Sequence, residues 1–170
     1  MLDASRDDQP SQPVRVRAEQ AGPVMPITIR LARGAYQYGT WVMLVLIIVQ
    51  FAAAGAGLFS VLAQNAAGAT ILRYHSGIGP AMIALLCVLM VIAAFVGRLP
   101  WRMTGLAASF FPLLILQSLL IIPYRYAHDV PALAGMPWLA ALHVVNALLI
   151  FWLAFQLPLW VRRYLTASSK

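Results

Sequence analysis

Charge is missing from four long stretches of this 170-residue chain, and that pattern constrains the fold more than any residue present. No Asp, Glu, Lys or Arg lies between Arg33 and Arg73, Arg73 and Arg98, Arg102 and Arg125, or Asp129 and Arg162. A helix crosses a bilayer with about 20 mostly apolar residues, so each stretch is long enough for one crossing. The composition agrees. Hydrophobic residues make up 62% and charged residues 10%, against roughly 45–50% and about 25% in soluble domains. An ordinary soluble globule, a disordered chain and a disulfide scaffold are excluded. The sequence predicts an all-α integral membrane four-helix bundle running up-down-up-down.

Spans are expected over 34–62, 70–97, 101–122 and 137–164, after a disordered arm over 1–33 and before a short tail over 165–170. Four prolines (Pro10, Pro13, Pro23 and Pro26) break up the arm. It lacks the apolar core and small-residue cleavage site of a secretory signal. Pro100 turns the chain between spans two and three, and Pro123 is expected to stop span three. Tyr36, Tyr38 and Trp41 at one end, with Trp138 and Trp160, read as interfacial aromatic anchors. Gly55, Gly57 and Gly105 permit close helix packing. Cys87, the single cysteine, reads as a small apolar packing residue.

The net charge of +7 does not point to nucleic acid. Four of the five acidic residues (Asp3, Asp7, Asp8, Glu19) lie in the arm, and the basic residues sit at helix ends. Arg30, Arg33, Arg98, Arg102, Arg162 and Arg163 fall on one side, and only Arg73 and Arg125 on the other. Lys and Arg favour the cytoplasmic side. The pattern predicts a multi-pass protein of the cytoplasmic membrane with both termini cytoplasmic.

Polar residues within a span are costly and mark function by default. Here they are Gln50, His75, Gln117, His143 and Asn146. With no intramembrane Asp, Glu, Lys or Arg, the chain has no catalytic acid/base constellation. A proton-coupled transporter or ion channel is also disfavoured. Counted back from Arg98 and Arg162, His75 and His143 stand roughly 34 and 28 Å above the inner flank at ~1.5 Å per residue. Gln50 and Gln117 stand at roughly 26 and 22 Å. Each hairpin carries a Gln and then, 25 or 26 residues later, a His, which suggests an internal duplication.

Two imidazoles at one level on parallel helices suit axial ligation of haem iron. In that arrangement Gly77 and Gly79 leave room for a porphyrin face. Gln50 or Gln117 accepts from the distal ring nitrogens, and Asn146 lines the pocket. Arg73 and Arg125, with Tyr74 and Tyr124, hold the propionates. The alternative is that the histidines and glutamines only bridge helices. Pro80 leaves open whether His75 lies in span two or in the outer loop. His128, beside Asp129, reads as a solvated loop residue, and two His without further donors fall short of a zinc site.

This Gln-His-Gln-His order resembles the four-helix haem b units of membrane cytochromes b and of haem A synthase. In haem A synthase, Gln on the first and third helices precedes His on the second and fourth, the positions of Gln50, Gln117, His75 and His143 here. The segments Val49-Gln50-Phe51 through Gly55-Ala56-Gly57, and Leu142-His143-Val144-Val145-Asn146-Ala147-Leu148, are also similar to a family of small four-helix membrane proteins. The resemblance covers residues 35–164. Ser76 stands where haem A synthases usually carry Arg, and the catalytic carboxylate and outer-loop cysteine pair are missing. The resemblance implies one haem b with axial His75 and His143, carrying electrons near the outer membrane face between a quinol and another redox protein. The competing expectations are a haem-free accessory subunit of a homo- or hetero-oligomeric membrane complex, and a small-molecule transporter.

Overall fold

The computed structural model describes residues 25–125 and 137–167, and all of its regular structure is helical. The elements are α1 (Ile27–Leu62), α2 (Ala67–Ser76), α3 (Ile78–Val96), α4 (Trp101–Ala108), α5 (Phe110–Arg125) and α6 (Pro137–Ala167). Together they make four helices long and apolar enough to cross a membrane, with α2–α3 forming the second and α4–α5 the third. Spans one and three each pack against spans two and four. Spans two and four, which carry the histidines, therefore stand diagonally across the bundle.

The helix boundaries differ from the sequence expectation for local reasons. α1 begins at Ile27, seven residues before the expected Gly34, with Pro26 at its N-cap. Arginines 30 and 33 mark where an apolar environment ends, not where helical hydrogen bonding ends. Residues 1–24 of the expected arm lie outside the described residues. Spans two and three are each interrupted, at Gly77 and Ser109. Proline clashes with the carbonyl four residues back and has no N–H to offer it. Pro80 lies four residues after Ser76 and Pro112 four after Ala108, the last residues of α2 and α4. Both prolines sit in the first turn of the next helix, where the missing N–H has no intrahelical partner anyway. The third membrane-spanning stretch ends at Ile122, as expected, while helical bonding in α5 continues past Pro123 to Arg125.

Tyr36 is a core residue and not an interfacial anchor. It is fully buried, and its hydroxyl donates to the Met103 carbonyl of α4 at 2.5 Å. Tyr38 and Trp41 remain exposed. At the same end Arg33 Nε donates to the Gly97 carbonyl at 2.9 Å, tying α1 to the turn after α3.

The apolar core occupies only this arginine end. It is built from Tyr36, Met43, Ile47, Ile83, Met90, Phe110 and Leu157 and their neighbours, with Cys87 among them. From residues 47, 83, 110 and 150 toward the other end, the buried described side chains shrink to Gly57, Gly68, Gly79 and Asn146. There α2 packs on α1 and α3, while α5 packs on α6. Glycines provide the close approaches between α1 and the second span. A Cβ at Gly68 would stand 2.6 Å from the Val61 nitrogen, and one at Gly57 2.7 Å from the Leu72 side chain. Gly55 and Gly105 meet nothing within 4 Å and do not mediate packing within the chain.

Candidate functional site at the histidine end

The second hairpin holds its polar residues in a chain whose proton positions can be deduced. Asn146 is 5% exposed and faces the Leu113 main-chain carbonyl at 3.0 Å. A carbonyl only accepts, so the facing atom is the Asn146 amide nitrogen. The same nitrogen donates to Gln117 Oε1 at 2.6 Å. That orients the Gln117 carboxamide, whose Nε2 then donates to His143 Nε2 at 3.1 Å. An Nε2 that accepts carries no proton in the neutral ring. The proton is on Nδ1, which donates to the Gln117 main-chain carbonyl at 3.0 Å. Every orientation follows from one carbonyl on α5.

The first hairpin has no such chain of bonds. His75 lies within α2, in the second span and not in a loop. Its ring is half-buried near the end of α2. Gln50 folds its carboxamide over Gly79, where a Cβ would overlap it. Gln50 Oε1 and His75 Nδ1 are buried without a hydrogen-bond partner. A buried polar group without a partner is costly. The second hairpin is thus closed on itself, and the first has two open valences.

The sequence-derived site residues are not all brought together. Gln50, His75, Gln117, His143 and Asn146 gather at this end. Gly79 is buried, but the space expected to face a porphyrin holds the Gln50 carboxamide. Gly77 is exposed and serves as the hinge between α2 and α3. Arg73 and Tyr74 are exposed on α2 near the rim. Arg125 ends α5, while His128 and Asp129 lie outside the described residues. Sequence reasoning missed the main-chain carbonyls of Leu113 and Gln117, which no side-chain pattern reveals.

Among the described residues no three His, Cys, Asp or Glu side chains gather where they could share a metal ion. A metal at this end would have at most the two imidazoles of His75 and His143 to draw on among those described side chains. That donor number matches the axial positions of an iron already held in a macrocycle.

A family model described as a family of unknown function (DUF6220) matches residues 50–124. The match begins at Gln50 and takes in His75 and Gln117. No curated protein and no solved structure matches the chain.

Proposed function

We propose that this chain is a membrane-bound haem b protein with His75 and His143 as axial ligands. The reading is supported by the presence of His75 and His143, on diagonal spans, at the end without an apolar core. His75 Nδ1 there is buried and unpartnered. The tautomer of His143 supports it. A ligating His commonly donates its other ring N–H to a carbonyl, as His143 Nδ1 does to Gln117, so Nε2 is the basic nitrogen. The Gln117 amide now occupying that lone pair must yield it to iron, and Asn146 retains the Gln117 oxygen. Gln50 must likewise turn off Gly79 if that side receives a macrocycle face.

Haem held between two imidazoles supplies one-electron transfer with no open coordination position. The arginine distribution supports cytoplasmic termini, and in that orientation the histidine end would face the outer side of the cytoplasmic membrane. A quinol in the bilayer and a redox protein at its surface are the fitting partners.

The second reading, a haem-free accessory subunit, is favoured by one observation. Gln117 satisfies both ring nitrogens of His143, as an interhelical hydrogen bond would. Absorption of the purified, dithionite-reduced protein separates the two. The haem reading predicts sharp low-spin bands, lost in His75→Ala and in His143→Ala. A folded, colourless protein that takes up no added haem would reject it.

A further inference from the structure

At the opposite end of the bundle, a groove of about 330 Å³ opens beside the turn between α3 and α4. Arg98 and Trp101 stand at its lip, and Ala94, Phe95, Thr104 and Gly105 carry it toward the apolar zone. Gly105 leaves its floor open, since a Cβ there meets nothing within 4 Å. Trp101 is 79% and Phe95 70% exposed, so the groove faces outward and not into the core.

Arg98 distinguishes this groove from the rest of the basic rim. Its φ is +49°, a conformation uncommon for residues other than glycine. It follows Gly97 just past the end of α3, where glycine or asparagine is the usual occupant. An arginine is kept there at a conformational cost. The described residues contain no Asp or Glu to neutralise it. Arg33, by contrast, is engaged with the Gly97 carbonyl.

We propose that this groove binds one anionic phospholipid. The phosphate lies against Arg98, Trp101 sits at headgroup level, and an acyl chain runs over Gly105 between Phe95 and α4. The charge at the lip and the apolar, unfilled floor match the two ends of such a molecule. This site is independent of haem.

Native mass spectrometry of the full chain in detergent tests it, with phosphatidylglycerol, phosphatidylcholine and inorganic phosphate as separate probes. Wild type should retain one phosphatidylglycerol in preference to phosphatidylcholine. Arg98→Asn keeps a residue that tolerates the backbone and removes the charge; it should weaken retention about fivefold. Gly105→Leu fills the floor and should abolish retention. The double variant Arg162→Gln/Arg163→Gln removes two charges elsewhere on the rim, one more than Arg98→Asn does, and should still retain lipid as wild type does. Equal retention of the two lipids would overturn the proposal, as would equal loss in the double variant. So would inorganic phosphate binding as tightly as the lipid, because the acyl groove would then contribute nothing.

Discussion

Toward the arginine end, Tyr36, Met43, Phe110 and Leu157 are completely enclosed. Toward the histidine end, the same four helices bury only three glycines and Asn146. Association within a bilayer rests on close packing and interhelical hydrogen bonds, because lipid is as apolar as a protein core. One end follows the first principle. The other brings together two imidazoles and three carboxamides, groups that are expensive in hydrocarbon. It leaves Gln50 Oε1 and His75 Nδ1 without partners. The contrast separates a part of the bundle held by apolar packing from a part that gathers polar groups and leaves two of them unpartnered.

The largest expected effect lies in the packed end. Phe110→Ala should destabilise the protein by about 3–5 kcal/mol, the usual range for emptying a buried aromatic site. Ile115→Ala, at a 61% exposed position one turn beyond, should stay within about 0.5 kcal/mol. Thermal unfolding in detergent micelles measures both, and equal losses would erase the distinction between the ends. Gly68→Ala comes next, at about 1–3 kcal/mol, because the new methyl meets the Val61 backbone and not a movable side chain.

Gly79→Ala should cost about 1 kcal/mol by evicting the Gln50 carboxamide. The double variant Gln50→Ala/Gly79→Ala should cost less than the sum of its singles, a coupling that sites without contact do not show. At the histidine end the smallest effect belongs to Asn146→Leu, at about 0.6–1 kcal/mol, the scale of interhelical hydrogen bonds in membranes. Its sharper readout is imidazole nitrogen NMR. Freed from Asn146, the Gln117 carboxamide should release His143 Nε2, and an unchanged nitrogen shift would contradict the deduced bond chain.

The four spans were legible in the sequence because charge gaps report what a bilayer excludes. The helix ends were less legible, since Arg30 and Arg33 are compatible with a helix that extends beyond the hydrocarbon. Pro80 and Pro112 stand four residues after the last residues of α2 and α4, but Pro123 and Pro158 lie inside unbroken helices, so proline position alone did not reveal the breaks at Gly77 and Ser109. Tyr36 was misplaced because an aromatic residue near an interface faces lipid or core according to helix rotation, which a short window does not resolve. The gathering of Gln50, His75, Gln117, His143 and Asn146 at one end followed from height alone. How they bond did not, because the acceptors that orient them are main-chain carbonyls. The filling of Gly79 by Gln50 was hidden for a related reason: a missing Cβ leaves room without saying for what.

Hydrogen exchange, followed residue by residue on the haem-free and haem-loaded protein, tests the division of the bundle most directly. If haem completes the histidine end, amides of α2 should exchange faster than those of α3 without haem and become comparably slow with it. Amides around Met43 and Met90 should not change. Equal slow exchange at both ends in the haem-free protein, unaltered by haem, would show that the chain closes its histidine end by itself.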